Sequence, residues 1–328
     1  MKSLLLGNGI NRDVRSEGIA WDQLLKNLCT QFGVNIDVDK TIPFPLVFEQ
    51  IVNNKAGNEV DSKVKNLKQK ISLIYGSNSI KPNDFHRKLW DLDNYSDILT
   101  TNYDYNIERA KIDAFVNNKV KYRMNALEDL LSMKRGYKIE EKKIWHIHGE
   151  QKSSKGYVSL IHYPEESIMI GFNHYAQYFQ KIMDNVKNNS TNSSKSGNNI
   201  YEQKLINRIL DPGYNIDECP YWVDRFFASD LDILGLTLDF SESHLWWLLS
   251  QRSEYKERGL VNNTIRYWYP SFPTQRKANS KELGIRKMLN SLKVEVLPVN
   301  ASSYEDFYEK VLNILANRVK GQYLIQVN

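Results

Sequence analysis

The sequence predicts an α/β protein with a Rossmann-like, mostly parallel sheet carrying helices on both faces. Three observations lead there. Apolar runs at Leu4–Leu6, Ile98–Leu99 and Leu231–Leu234 read as short buried strands. Stretches with helical spacing of apolar residues alternate with them, the pattern of parallel strands joined by crossover helices. A Gly-x-Gly turn, Gly7-Asn-Gly9, follows directly on the first strand.

Taken in order, the first strand covers about Ser3 to Gly7. A helix over Ala20 to Phe32 follows, with Trp21, Leu24, Leu25 and Leu28 on one face. Pro43 and Pro45 precede a lysine-rich helical stretch from Leu46 to about Tyr75. Pro82-Asn-Asp-Phe85 opens another helix, with Phe85, Leu89 and Trp90 as its apolar face. The strand Ile98 to Thr101 comes next, then a second strand end at Lys143 to Gly149. Tyr157 to His162 adds a strand and Phe172 to Val186 a helix. The run 187–199 has no apolar side chain, so it predicts a mobile surface loop within one domain of residues 1–328. Beyond it lie a helix over Ile200 to Leu210, the strand Leu231 to Thr237, and a helix capped by Ser241 with Leu245, Trp246, Leu248 and Leu249 facing inward. The chain continues with a strand at Thr264 to Tyr269, a helix at Lys281 to Leu292, a strand at Val294 to Leu297 and an amphipathic helix from Ser303 to Val319.

Composition narrows the function. The net charge of +5 over 328 residues is modest, and the basic run Lys63 to Lys70 reads as a solvated helix face, so direct nucleic-acid binding is not expected. No apolar run approaches the roughly 20 residues that span a bilayer, and no signal peptide is visible, so a cytoplasmic protein without membrane contact is expected. The two cysteines, Cys29 and Cys219, cannot build a four-thiolate zinc site. His86, His162 and His244 lack metal-ligand spacing, so no metal is expected.

The chemistry-bearing residues gather at strand ends, where open α/β sheets bind ligands. Asn102, Asp104 and His148 are candidates to face one ligand from neighbouring strands. Gly7 and Gly9 allow a tight turn against a phosphate, with the start of a helix behind it. Arg12 and Asp13 stand where a full dinucleotide fingerprint has its third glycine. His146 reads as structural. His174 and Tyr175 either rim the pocket or pack, and Trp246-Trp247 reads as core and oligomer surface.

Four blocks thus line up at strand ends: Gly7-Asn-Gly-Ile-Asn11, Thr101-Asn-Tyr-Asp104, His148-Gly149 and Gly235-Leu-Thr237. Their order and spacing resemble the sirtuin (SIR2) superfamily, in which such blocks enclose NAD. Trp21-Asp-Gln-Leu-Leu25, Leu99 to Asp104, and Ser167 to Tyr175 with its Gly-Phe-Asn-His-Tyr resemble the branch that serves bacterial antiphage defence. The resemblance runs from residue 1 to about residue 250. Deacylating sirtuins carry a four-cysteine zinc module; here helical insertions at about 40–90 and 170–225 stand in its place.

The resemblance implies an NAD+ glycohydrolase that depletes NAD in antiphage defence. NAD would be substrate, Asn102 and His148 the catalytic pair, and Gly7, Asn8, Gly9, Asn11, Thr101, Asp104, Gly235 and Thr237 the NAD-binding residues. Cleaving the nicotinamide–ribose bond passes through an oxocarbenium-like state, which calls mostly for positioning and electrostatics. Asn102 would hold a water or a ribose hydroxyl, and a histidine, whose ordinary pKa is near neutral, suits the base. Such an enzyme needs restraint, so a regulatory or sensor protein encoded nearby and a homo- or hetero-oligomer are expected. A zinc-free protein deacylase and a non-catalytic NAD- or nucleotide-binding subunit are the alternatives.

Overall fold

A computed structural model describes residues 1–11, 21–38, 42–54, 59–76, 81–112, 131, 133–151, 164–188, 199–272 and 280–318. Its strands are β1 (Lys2–Leu6), β2 (Tyr95–Thr100), β3 (Tyr137–Ile139), β4 (Lys142–His146), β5 (Asp230–Leu234), β6 (Ile265–Ser271) and β7 (Val294–Asn300). They form one sheet in the order β3-β4-β2-β1-β5-β6-β7. Only β3 is antiparallel to its neighbour. Numbered among themselves, the parallel strands run 3-2-1-4-5-6, the doubly wound order whose switch point lies beside the first strand.

The leucines of β1 explain its central place. Leu4 and Leu6 point to one face and Leu5 to the other, as a period of two requires. Leu4 and Leu6 pack with Ile98, Leu234, Phe85, Leu89, Phe307 and Leu312. Leu5 packs with Leu99, Ile233, Tyr178, Phe226 and Leu248 on the opposite side. All three are fully buried, and burying each leucine contributes about 1.5–3 kcal/mol.

Helices α4 (Asp84–Lys88), α5 (Asn106–Ile112) and α11 (Tyr304–Asn317) supply residues to the first face. Helices α6 (Phe172–Lys187), α8 (Arg225–Ala228), α9 (Ser243–Glu257) and α10 (Ser280–Ser291) supply the second. A third apolar cluster joins α1 (Trp21–Gln31), α2 (Phe44–Asn53) and α3 (Val60–Gly76), with Ile168 and Ile170 at its margin.

The predicted strands β1, β2, β4, β5, β6 and β7 are present within a few residues of the expected bounds. Several details differ. The stretch Leu46 to Tyr75 is two helices, α2 and α3; the first ends at Asn54, whose extended backbone (ψ 113°) stops it. Ile200 to Leu210 divides into a 3-10 turn (Ile200–Glu202) and α7 (Leu205–Leu210). Ser241 does not cap α9: Glu242 holds the N-cap position and makes no side-chain cap bond. The basic run on α3 is not wholly solvated, because Lys68 is buried and donates to the Glu166 carbonyl at 2.8 Å. The strand expected at Tyr157 to His162 lies outside the described residues, as does most of the polar run 187–199. Among the described residues, no helix is long and apolar enough to cross a membrane.

Candidate functional site

Register fixes where the strand ends open. Leu6 pairs with Thr100 on one side and Leu234 on the other, and Thr100 pairs with His146. The residues after that row, Gly7, Thr101, Gly235 and Ile147, therefore leave the sheet together. Backbone bonds continue the row: Thr101 N–H donates to Leu6 O (3.1 Å), Gly7 N–H to Leu234 O (3.0 Å) and Ile147 N–H to Thr100 O (3.0 Å). Asn102 and His148 each stand two residues beyond one rung of the β2–β4 ladder.

A cleft of about 310 Å³ opens at this switch point. Ligand pockets typically measure about 300–1,000 Å³, so it is at the small end of that range. One end is apolar, formed by Leu25, Ile42, Val47 and the stacked pair Trp21 and Phe44, whose rings are 4.6 Å apart and 9° from parallel. The other end is aromatic, built from Tyr267, Trp268 and Tyr269 of β6 and from Tyr304 and Tyr308 of α11. Polar groups from strand ends lie between them.

Six of the ten expected site residues line this cleft: Asn8, Gly9, Thr101, His148, Gly235 and Thr237. Gly7, Asn11, Asn102 and Asp104 do not, and the reasons are local. The glycines serve close packing of two strand-end turns rather than open space for a phosphate. A β-carbon on Gly7 would strike the Gly235 carbonyl oxygen; one on Gly9 would meet the same atom at 2.8 Å and would also strike the Tyr308 hydroxyl. The Gly9 N–H is already committed to Gly235 O at 2.8 Å. A single 3-10 turn, Asn8–Asn11, follows instead of an immediate α-helix.

Asn11 and Asp104 form a buried latch between the β1 and β2 turns. Asn11 Nδ2 donates to Asp104 Oδ2 at 2.9 Å, and the other carboxylate oxygen accepts the Asn106 N–H at 3.0 Å. Burial raises the Asp104 pKa, partly offset by the bonds from Asn106 and Asn11. Asp104 thus shapes its loop, whereas Asn11 is consumed by the latch and is not presented to a pyrophosphate.

Asn102 is buried behind the glycine turn. Its Nδ2 donates to the Gly7 carbonyl at 3.4 Å, and its N–H donates to Thr100 Oγ1 at 3.0 Å. Its Oδ1 is buried and has no hydrogen-bond partner among the described residues. A buried acceptor left unpaired costs about 1–3 kcal/mol, so such an atom invites a donor from a ligand or water.

His148 is fully buried and sits among groups that chain spacing does not reveal. Its Nε2 lies 3.1 Å from Nε2 of His244 and 3.2 Å from Oε2 of Glu242. Tyr175 packs edge-on against it, centroids 5.5 Å apart. Burial, then the Glu242 charge, pushes the Tyr175 phenol well above its usual range. Burial and the neighbouring His148 push the His244 pKa well below its usual value, so His244 is neutral. A carboxylate beside His148 Nε2 favours the proton on that nitrogen, donated toward His244. With the proton there, the Nδ1 of His148 would carry the lone pair; that atom is buried without a partner among the described residues.

The loop carrying Asn102 is held from behind by His146. Its Nδ1 bonds the Asn102 carbonyl and its Nε2 bonds Glu108 Oε1 at 2.7 Å, so both ring nitrogens are taken up within the protein. His174 also packs: its Nδ1 accepts the Gly171 N–H at 3.1 Å. Sequence reasoning missed Glu242, His244 and Tyr308. The only local signal for the first two is Ser-Glu-Ser-His, six to nine residues beyond Gly235.

The expectation of no metal rested on spacing along the chain. Folding brings His244 onto His148 across 96 positions, with Glu242 beside both. Compared with known proteins, the chain matches no protein-family model and no curated protein.

Proposed function

We propose that the cleft binds NAD+ and that the protein cleaves its nicotinamide–ribose bond by hydrolysis. One observation carries this reading: two buried polar atoms without a partner among the described residues, Asn102 Oδ1 and His148 Nδ1, stand on adjacent strand ends beside a cleft at the switch point of a doubly wound sheet.

On this reading the C1′–N bond breaks with its electron pair leaving on nicotinamide, which departs neutral. Water adds to C1′ and yields ADP-ribose, and the proton it sheds passes to His148 Nδ1. Asn102 Oδ1 would accept a hydrogen from the water or a ribose hydroxyl. Glu242, 3.2 Å from the far nitrogen, would stabilise the imidazolium that forms. Asn8, Thr101, Gly235 and Thr237 would face the pyrophosphate and ribose. The apolar end with Trp21 and Phe44 would shield nicotinamide from water, and the aromatic end would take adenine.

The helices α2 to α4 and α6 to α8 would then occupy the place of a sirtuin zinc module. Depletion of NAD in antiphage defence, restraint by a partner protein encoded nearby and assembly into an oligomer belong to the same proposal. The experiment is to follow nicotinamide release from NAD+ by the purified chain, alone and with the product of its neighbouring gene. Release that is lost in Asn102→Ala and in His148→Ala supports the glycohydrolase. Tight NAD+ binding without turnover under either condition replaces it with a binding subunit. Turnover that requires an acylated peptide replaces it with a deacylase.

A further inference from the structure

We propose that His148, Glu242 and His244 form a reversible binding site for a divalent transition-metal ion of the zinc class, and that the bound ion silences the His148 base. The metal site stands on geometry alone; the silencing rests on the NAD-cleavage reading.

One ligand atom from each residue lies within 4.8 Å of the other two. The two imidazole Nε2 atoms are 3.1 Å apart, and Glu242 Oε2 is 3.2 Å from the nearer one. A tetrahedral zinc ion with nitrogen and oxygen ligands at about 2.0–2.2 Å needs those atoms about 3.3–3.5 Å apart, so the two contacts of His148 need to open by only a few tenths of an ångström, with Glu242 and His244 already within 4.8 Å of each other. Two imidazoles and a carboxylate are a zinc donor set, whereas Mg2+ prefers oxygen ligands alone.

The polar atoms also converge on one another. Glu242 Oε2 is buried with His148 Nε2 3.2 Å away, and the outer Nδ1 atoms of both histidines have no hydrogen-bond partner among the described residues. All three side chains are at most 6% exposed, so they are shielded from bulk solvent. His148 and Glu242 line the cleft, which leaves the fourth coordination position facing it. The bare outer nitrogens also set a limit. Metal-binding histidines usually donate their second N–H to an acceptor that strengthens the site. Without that support the ion would come and go rather than reside.

The link to catalysis is proton arithmetic. A neutral imidazole has one N–H. An ion on His148 Nε2 takes the place of the proton there, and the single N–H must move to Nδ1. The lone pair that would accept a proton from water is then filled, with no net change in protonation.

The test titrates the chelator-stripped full chain with ZnCl2, and separately with MgCl2, by calorimetry, and follows nicotinamide release over the same zinc range. His244→Gln, which keeps size and polarity, and His244→Phe, which keeps ring volume, are measured alongside, each checked for an intact thermal melt. The expected result is one zinc per chain, no magnesium binding, and zinc affinity weakened at least about tenfold in both variants. Inhibition by zinc, judged against each protein's own zinc-free rate, weakens in parallel. No zinc uptake by folded wild-type protein, or wild-type affinity in both variants, overturns the site. Zinc bound to a chain that never cleaves NAD+ leaves the site standing and removes the silencing. NAD+ cleavage without zinc binding does the reverse.

Discussion

The imidazole of His146 donates from Nδ1 to the backbone carbonyl of Asn102 at 3.2 Å. Its other nitrogen meets Glu108, so both ring nitrogens act as donors and the ring is charged. Burial alone would lower its pKa, but the charge and hydrogen bond of Glu108, with Glu150 behind, raise it to about 9. The loop that carries Asn102 is thus held by a buried cation.

That cation ties stability to pH. The folded pKa is raised above the ordinary 6.5, so the stabilisation is complete below about 6.5 and fades as pH rises through about 9. Urea midpoints of wild type and His146→Gln should differ most near pH 6 and converge above pH ~9. At the lower pH the variant should lose about 3–5 kcal/mol, because Glu108 is left as an unpaired buried charge. A gap independent of pH would contradict the charged form.

Gly9→Ala should destabilise by about 1–3 kcal/mol through overpacking at the strand-end turn. Adding Tyr308→Phe removes one of the two clashing groups but leaves the Gly235 carbonyl at 2.8 Å. The double variant should therefore regain part of the loss and not all of it. Thermal melts of the four proteins in this cycle decide the matter; full recovery would mean that Gly235 yields freely.

Glu242→Gln should lower kcat for nicotinamide release by about 10²- to 10⁴-fold with KM nearly unchanged. On the proposed reading the carboxylate acts through His148, 3.2 Å away, so its effect belongs to the chemical step. Steady-state kinetics on a variant with a wild-type melt would show this. A raised KM with kcat intact would instead make Glu242 a binding residue.

Tyr269→Ala should raise the KM for NAD+ about threefold to tenfold and leave kcat nearly unchanged, since an aromatic pair contributes about 0.5–1.5 kcal/mol. The Arg286 guanidinium, 3.8 Å from the Tyr269 ring centre, holds that ring in place at the wall of the cleft. An unchanged KM would remove adenine from that end of the cleft.

The parts of this fold that were legible in the sequence are those written locally. Leu4–Leu6, Ile98–Leu99 and Leu231–Leu234 are apolar because both faces of the sheet are covered, and each strand was visible on its own. The strand β3 was not visible, because three residues, Tyr137 to Ile139, are too few to establish an alternation. Asp104 and Asn11 were recognised as polar strand-end residues, yet their roles depend on each other across 93 positions. The same limit hid Glu242 and His244, whose meaning comes only from His148.

The central place of β1 has a consequence for synthesis. β1 leaves the ribosome well before its partner β5, which begins at Asp230, and Ser3 reaches Ser229 across 226 positions. Bridging so long an interval is slow, because the chain entropy must be surrendered before the contact repays it. Gly235 closes against Gly7 and Gly9, so a nascent chain has no complete cleft until Gly235 has been made. On the NAD-cleavage reading, a restraining partner would be needed only once Gly235 has emerged.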